Sequence, residues 1–268
     1  MLDVQGALAR WYLRHRTPFE RLRNAPVVGK LVHYVSHKLL PSDFRIWWQA
    51  EAGEAKGLWM RVNPRTAAQL CKGEAEQKAL VGCLRPGMVF YDAGANLGLF
   101  TLLAARLVGE TGQVFSFEPE PEIAACLREN TWHNLFSCVT VVEAALYSRS
   151  GKIGFRRASK LESPDRGTGR VLDRGTEASA IDVHAISLDD FVTDHPEPDV
   201  LKLDVEGAEV EVLQGARKLL QRRSPVLLCE LHSEECEAGV FRILEEHGYT
   251  VTRVDNNHVF AEATTGKS

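Results

Sequence analysis

The stretch Asp92-Ala93-Gly94-Ala95-Asn96-Leu97-Gly98 decides the fold of this chain of 268 residues. It closes the run Met88–Asp92, which predicts a buried strand. It also opens the run Leu97–Val108, which is apolar nearly all round and predicts a buried helix that Gly109 ends. A strand, a short glycine turn and a helix in this order are typical of α/β sheets, whose ligands bind beyond the carboxyl ends of the strands. The sequence therefore predicts a ligand site at this turn.

The spacing of the two glycines indicates which ligand suits the turn. Gly94 and Gly98 form G-x-x-x-G and not the G-x-G-x-x-G of dinucleotide enzymes, in which the backbone approaches a pyrophosphate. A ligand with an amino-acid end and no phosphate would instead meet the carboxylate of Asp92 and the amide of Asn96. Glu118 ends the next predicted strand, where an acid accepts hydrogen bonds from both ribose hydroxyls. Together these features predict S-adenosylmethionine (SAM).

Strands and helices alternate along the rest of the chain, which is typical of a mostly parallel sheet covered on both faces. A turn at residues 255–257 joins the last two strands as a hairpin, so the final strand is antiparallel to the one before it. This order predicts an α/β fold of the class I methyltransferase type, a Rossmann-like three-layer sandwich whose mostly parallel seven-stranded sheet has an antiparallel C-terminal strand. The later strands are predicted at Val114–Phe117, Cys138–Val142, Val200–Asp204, Val226–Leu231, Tyr249–Val254 and Val259-Phe260, and the later helices at Pro121–Asn130, Ala208–Gln221 and Cys236–His247.

Four runs of sequence together resemble the FkbM methyltransferase family. The resemblance covers about residues 73–262, and its most specific mark is the Lys-x-Asp-x-Glu-Gly-x-Glu run. It implies a SAM-binding α/β fold and methylation of oxygen atoms on natural products or sugars. Ala93 departs from the family pattern, in which a β-branched residue is expected, and this change should only loosen packing. The runs are Asp92 to Thr101, Phe117-Glu118-Pro119, Leu188-Asp189-Asp190 and Lys202-Leu203-Asp204-Val205-Glu206-Gly207-Ala208-Glu209.

The residues predicted to hold SAM stand at the carboxyl ends of the first four parallel strands. Those after the third strand are expected to line the adenine, and the one after the fourth strand is expected near the methionine end. The predicted set is Asp92, Gly94, Ala95, Asn96, Gly98, Glu118, Pro119, Glu143, Ala144 and Asp204.

The candidates for catalysis follow the fourth and fifth parallel strands. Asp204 ends an apolar strand, where a buried carboxylate needs a partner, and Lys202 on the same face is expected to pair with it or with Glu206, or else to reach solvent. Asp204 and Glu206 are predicted to orient the methionine end of SAM or the substrate hydroxyl. Either His232 or Asp204 is predicted to accept the hydroxyl proton, although His232 as a loop residue bonded to backbone is an equal alternative. Glu209 is expected only to cap its helix.

A metal ion is the minor alternative at the same place. Asp204, Glu230 and His232 offer oxygen and imidazole ligands at neighbouring strand ends. No HxH or HxxxH pair supports such a site, so the sequence predicts SAM as cofactor and no metal.

Two regions lie outside the alternating pattern. Residues 1–72 are predicted to be a basic, helical extension and residues 73–268 the SAM-binding domain, with a short strand at Gly57–Val62. The aromatic and basic residues of the extension favour an arm that packs on the domain or on a second subunit as a homodimer, and weak contact with an anionic membrane surface is the alternative. The polar residues 156–180 are predicted to be a long loop or edge insertion that helps to cover the methyl acceptor.

Composition restricts the class of protein. The chain is 44% hydrophobic and 25% charged, with a net charge of -4, which argues against a general nucleic-acid binder. Its six cysteines form no CxxC pair and no apolar run approaches a membrane span, so a cytoplasmic protein is expected. The predicted function is methyl transfer from SAM to a hydroxyl of a small molecule, sugar or glycan. A noncatalytic SAM-binding partner subunit and an N-methyltransferase are the alternatives, although the Asn/Asp-Pro-Pro-aromatic run typical of the latter is missing after the fourth strand.

Overall fold

Helices and strands alternate along the chain as the sequence pattern predicts. The computed structural model describes residues 44–64, 67, 74–157, 169–172 and 180–264. The strands are β1 (Ile46–Gln49), β2 (Trp59–Val62), β3 (Val89–Ala93), β4 (Gln113–Phe117), β5 (Val139–Val142), β6 (Ala145–Leu146), β7 (Gly151–Arg156), β8 (Arg170–Leu172), β9 (Ala180–Ile186), β10 (Val200–Leu203), β11 (Val226–Glu230), β12 (Tyr249–Arg253) and β13 (His258–Ala263). The helices are α1 (Glu74–Cys83), α2 (Leu99–Val108), α3 (Pro121–His133), α4 (Leu188–Phe191), α5 (Glu209–Gln214), α6 (Arg217–Gln221) and α7 (Glu234–Glu246).

The main sheet has seven strands in the order β12-β13-β11-β10-β3-β4-β5. Strands β11, β10, β3, β4 and β5 pair in parallel, and only β13 runs antiparallel to its two neighbours. This order confirms the predicted fold class, including the antiparallel C-terminal strand. Because β10 and β3 are adjacent, their carboxyl ends bring the glycine loop and Asp204 to the same edge of the sheet.

Apolar side chains cover both faces of this sheet. Consecutive residues of a strand point to opposite faces, so Phe90 joins the core that contains Leu103 of α2, while Tyr91 joins the core that contains Val240 of α7. Both Phe90 and Tyr91 are completely buried. Two cores on either side of one sheet make the three-layer sandwich that the near-continuous apolar strands predict.

Three helix boundaries differ from the prediction. The predicted helix at residues 208–221 is divided into α5 and α6 at Gly215, where a Cβ would come 2.3 Å from the carbonyl oxygen of Tyr147. Helix α2 begins at Leu99 instead of Leu97, because Gly98 takes a left-handed conformation with φ 94° before it. Helix α3 continues to His133, one turn beyond its predicted end.

A second sheet, which the sequence analysis did not predict, lies beside the first. Its four strands have the order β6-β9-β7-β8 and enclose a small core that includes Tyr147, Ile153, Phe155 and Val183. Residues 156–180 are predicted to be a long loop or edge insertion, and β8 at residues 170–172 is an edge strand of this sheet, while residues 158–168 and 173–179 lie outside the described residues. Strands β7 and β9 bury alternate residues, Ile153 and Phe155 in one and Val183 and Ala185 in the other, which is a strand signal that the sequence carries. Strand β8 has only three residues, and its pairing with β7 decides it.

The described part of the N-terminal extension is a β-hairpin and not a helix. Strand β2 confirms the short strand expected before Asn63, and β1 pairs with it in antiparallel register. Trp48, Met60 and Val62 pack into the same core as α2. The basic arm at residues 1–43 lies outside the described residues, and the division at residue 72 stays a prediction. Of the helices that the structure describes, none has the length and apolar character needed to span a membrane.

Candidate active site

The glycine loop after β3 packs closely against the backbone at the end of β10 and against a side chain of α3. Gly94 has φ 76°, and a Cβ at this position would lie 1.8 Å from the carbonyl oxygen of Asp204. A Cβ at Gly98 would lie 2.2 Å from Cδ1 of Leu127. Both positions therefore require glycine, for conformation and for space. The loop can approach the end of β10 because Gly94 has no side chain.

Glu118 connects this loop to the end of β4. One carboxylate oxygen accepts the backbone N–H of Asn96 at 3.0 Å, and the other accepts that of Glu120 at 2.8 Å. The side chain is buried, and burial raises the pKa of Glu118 to about 8, although the two N–H donors oppose the rise. In its ionised form Glu118 has about four acceptor positions, so both oxygens can then still accept from a ligand. Glu118 lies on the pocket wall, as the ribose interpretation requires.

Asp92 lies beneath the pocket and is not part of its wall. Its Oδ2 accepts the hydroxyl hydrogen of Thr101 at 2.6 Å, and that hydroxyl is 2.8 Å from Oγ of Ser116. Its Oδ1 lies 3.7 Å from Nζ of Lys202 and has no hydrogen-bond partner among the described residues. Burial raises the pKa of Asp92 and Lys202 opposes this rise. The predicted direct contact of Asp92 with SAM needs correction, because the carboxylate is completely buried and supports the loop from below.

Lys202 is a buried cation in the central strand β10. Its Nζ donates to Oδ2 of Asp204 at 3.0 Å and lies 4.9 Å from the ring centroid of Phe100. Burial opposes its charge, but the carboxylates of Asp204 and Asp92 more than offset this and hold the pKa of Lys202 above its ordinary value. The predicted pair with Asp204 is confirmed. The alternative that Lys202 reaches solvent is wrong, because both faces of its strand are covered.

The imidazole of His232 is surrounded by four carboxylates. Its Nδ1 is 2.9 Å from Oε1 of Glu209, which is hydrogen-bond distance. Its Nε2 is 3.7 Å from Asp204, 3.5 Å from Glu206 and 3.9 Å from Glu230. The sequence-predicted group of Asp204, Glu206 and His232 is thus brought together at the ends of β10 and β11. The alternative of a histidine bonded to loop backbone does not hold, because Nδ1 contacts a side chain.

The charges of this cluster depend on each other. Burial lowers the pKa of His232, but the hydrogen bond to Glu209 and the nearby charges of Asp204 and Glu230 outweigh it and raise the pKa to about 9. Burial raises the pKa of Glu206 to about 7, although His232 opposes that rise. At neutral pH the imidazole of the free protein is therefore mostly protonated.

Glu209 has more than the capping role expected from its place in the first turn of a helix. It is completely buried, and its Oε1 accepts the backbone N–H groups of Val205 and Gly207 at 3.2 and 3.1 Å as well as facing His232. Glu206 and Gly207 both have left-handed φ values, 55° and 99°, before the helix begins. No propensity in the sequence shows that such a turn brings the carboxylate of Glu209 inward.

Asp204, Glu230 and His232 each bring one ligand atom to within 4.8 Å of the others, close enough to share a metal ion. The same carboxylates also have cationic partners from the chain itself. Lys202 lies 3.0 Å from Asp204, and the imidazolium of His232 lies 3.7 Å from Asp204 and 3.9 Å from Glu230. These two cations offset part of the negative charge of the cluster, and the absence of a metal stays a prediction.

A pocket opens beyond the carboxyl ends of β3, β4, β10 and β11. Seven sequence-predicted residues lie on its wall: Gly94, Asn96, Glu118, Pro119, Ala144, Asp204 and Glu206. The region of the second sheet contributes Phe155, Gly169 and Val171. Gly169 and Val171 belong to the predicted covering segment at residues 156–180, whereas Phe155 was not among the predicted residues. The contribution of Gly169 and Val171 supports the expectation that this segment helps to cover the pocket.

Four residues predicted to bind SAM lie off the wall, and His232 stands next to it. One of the four is Asp92, which lies beneath the pocket. Ala95 and Gly98 pack inside the loop and give it its shape. Glu143 is exposed and pairs with Arg128 at 3.0 Å, so its expected contact with adenine needs correction. Strand β5 ends at Val142, one residue before Glu143. Ala144, the residue after Glu143, is buried.

The wall fits SAM in chemistry. Oδ1 of Asn96 is buried without a hydrogen-bond partner in the described part of the chain, so it remains available to an ammonium group. Apolar side chains stand near Glu118, as an adenosine requires. No lysine or arginine occurs among the described residues that line the pocket, which favours a cofactor with net positive charge. The lining carboxylates are Glu118, Glu120, Asp204, Glu206 and Glu230.

Comparison with known proteins places this chain among methyltransferases. The sequence model of the methyltransferase FkbM domain matches residues 92–251. The hexuronic acid methyltransferase AglP of Haloferax volcanii is 31% identical over 160 residues, which are 59% of this chain and 62% of that protein, so the match spans less than two thirds of the relative. The 31-O-demethyl-FK506 methyltransferase FkbM of Streptomyces tacrolimicus is 28% identical over 198 residues, covering 63% of this chain and 75% of that protein. A solved structure of a methyltransferase FkbM from Methylobacillus flagellatus KT has a TM-score of 0.48 and 14% identity, covering 88% of this chain and 59% of that one.

Proposed function

The chain belongs to the methyltransferase FkbM domain family, and on that premise we propose that it is a SAM-dependent O-methyltransferase acting on a hydroxyl of a small molecule, sugar or glycan. The observation that carries the choice of a hydroxyl is the cluster of Asp204, Glu206 and His232 at the edge of the pocket. A hydroxyl must lose its proton when its oxygen is methylated, so the site needs a group that accepts this proton.

The residues of the wall divide between cofactor and acceptor. Bound SAM supplies an electrophilic methyl group on a sulfonium. Glu118 would accept hydrogen bonds from the ribose hydroxyls, Oδ1 of Asn96 would accept one from the methionine ammonium, and Ala144 would pack against the adenine. Gly94 gives the loop the close approach to β10 that this arrangement needs.

Asp204 and His232 act on the acceptor. Oδ2 of Asp204 is held by Lys202, while Oδ1 has no hydrogen bond in the described structure and is able to accept one from the acceptor hydroxyl. The neutral form of His232 then takes the proton on Nε2, because Nδ1 already faces Glu209. The chain therefore contributes two things to the reaction: Asp204 positions the acceptor hydroxyl, and His232 takes its proton.

The site of methylation tests this proposal. Protein incubated with SAM carrying a tritiated methyl group and with a panel of simple glycosides and polyols should form labelled ethers. An ether keeps its label in mild alkali, whereas a methyl ester releases labelled methanol. Label on nitrogen, or label lost in alkali, would contradict methylation of a hydroxyl.

Glu118→Ala should weaken SAM binding about tenfold or more, because a hydrogen bond to a charged group contributes roughly 1.5–3 kcal/mol. Titration calorimetry with SAM measures the effect. Glu143→Ala is the matched control, since this exposed acid lies off the pocket wall. Equal dissociation constants for the Glu118 variant and the unchanged protein would mean that the ribose is held elsewhere. NAD should show no binding to the unchanged protein in the same experiment.

Chelation should leave turnover within a factor of a few. Lys202 and His232 already supply positive charge to the carboxylates that a metal would use. Turnover is measured after treatment with EDTA and again after magnesium is added back. A complete loss that magnesium restores would show that Asp204, Glu230 and His232 form a metal site.

A further inference from the structure

Glu209 is a completely buried carboxylate at the start of α5. It contacts three separate segments: the turn after β10 through two backbone N–H groups, the end of β11 through Nδ1 of His232 at 2.9 Å, and α7 through the thiol of Cys236 at 3.1 Å. A buried charge is costly unless it is paired and hydrogen-bonded. Burial raises the pKa of Glu209, but the hydrogen bonds from His232 and Cys236 outweigh it, so this pKa lies below its ordinary value.

The contact with Glu209 decides which nitrogen of His232 carries the hydrogen. An ionised carboxylate can only accept hydrogen bonds, so Nδ1 must be the donor. In the neutral ring the free electron pair is then on Nε2, the nitrogen that faces Asp204 and Glu206 on the pocket wall. Without Glu209 the neutral ring could carry its hydrogen on either nitrogen and could also rotate.

We propose that Glu209 is the positioning residue for His232, fixing its hydrogen on Nδ1 so that Nε2 is available to take the proton of the acceptor. The O–H bond of the acceptor breaks, its electron pair stays with the oxygen that is methylated, and the proton becomes the second N–H of His232 before it passes to solvent. This role rests on the proposed function, and it deepens it by adding a residue that does not touch the acceptor.

Capping alone would not explain the arrangement. Oε1 accepts both backbone N–H groups and also faces His232, whereas a solvent-facing cap would leave the side chain exposed. Four carboxylates face the imidazole: Asp204, Glu206, Glu209 and Glu230. Of these, only Glu209 lies at hydrogen-bond distance from the ring, and it is also the one that is completely buried.

Glu209→Gln provides the kinetic test, with Cys236→Ala as its matched control. Glutamine keeps the size of the side chain and an oxygen for the N–H groups, but it lacks the negative charge that stabilises the imidazolium formed when Nε2 takes the proton, and its NH2 group can donate to Nδ1 and favour the other tautomer. Cys236→Ala removes the contact between the thiol and Oε2 of Glu209. It leaves the contact between Oε1 of Glu209 and His232 intact. The glutamine variant should lose about 10²-fold or more in kcat on the best glycoside of the panel. Its SAM dissociation constant should stay within about threefold, and the control should keep both values.

The nitrogen spectrum of the histidine ring gives a readout that needs no acceptor. Protein with ¹⁵N-labelled histidine rings, with His232→Gln to assign the signal, is measured above pH 9, where the ring of His232 is neutral, and should then show its hydrogen on Nδ1. An Nε2–H tautomer in the unchanged protein, or a kcat of Glu209→Gln within about threefold of normal, would overturn the positioning role. Failure to methylate any hydroxyl while the Nδ1–H signal is present would instead contradict the proposed function and leave the contact standing.

Discussion

Asp204→Asn should lower kcat by about 10²–10⁴ while the affinity for SAM changes only a few-fold. The carboxylate stands on the pocket wall with Oδ2 fixed by Lys202 at 3.0 Å, so its other oxygen is held in place for the acceptor. Asparagine keeps the shape but not the charge, and its NH2 group cannot accept a hydrogen bond. Lys202 keeps Asp92 as a partner at 3.7 Å, so the fold should survive the change.

Measuring kcat at saturating SAM together with SAM titrations separates two roles of Asp204. If Asp204 only binds the methionine ammonium, SAM affinity falls and kcat at saturation largely remains. If neither quantity changes by about tenfold, the acids of the β10 end are structural and the catalytic assignment is wrong.

His232→Ala should lower kcat by a similar factor of about 10²–10⁴ and should change how kcat/KM depends on pH. In the unchanged protein the pKa of His232 is raised to about 9, so the ring is protonated below this pH and only its neutral form can accept a proton. Below that value kcat/KM, which reports the pKa of the free enzyme, should therefore rise by about tenfold per pH unit and then level off. The variant should lack this rise.

The matched control is His184→Ala, which removes an exposed histidine that is not on the pocket wall. It should keep both the rate and the rise with pH. A large loss with His232→Ala and a nearly silent Asp204→Asn would leave proton transfer to the histidine alone. A flat profile in the unchanged protein, with a large loss only in Asp204→Asn, would transfer the proton-accepting role to the carboxylate.

The sequence alone determined the features that depend on local pattern. The apolar runs and the glycine turn at Gly94 gave the parallel sheet and its loop, because strand period and backbone conformation are properties of neighbouring residues. Glu118 and Asp204 could be placed at one edge because parallel strands end together. The pairing of Lys202 with Asp204 followed from the strand period of two, which puts both side chains on one face. The family resemblance agrees with each of these assignments.

Tertiary structure decided the features that depend on residues far apart in the chain. Asp92 was expected on the pocket wall, but its neighbours Thr101 and Lys202 draw it beneath the loop, and this depends on how α2 and β10 pack on β3. The second sheet brings Phe155 to the pocket through the pairing of β7 with β9, which joins segments that are far apart in the chain. Glu209 turns inward to His232, which is 23 residues further along, because of two left-handed residues, of which Gly207 suits this conformation and Glu206 does not. Local pattern places a residue on an element and pairs charges within one strand, but only packing decides which charges of different elements meet.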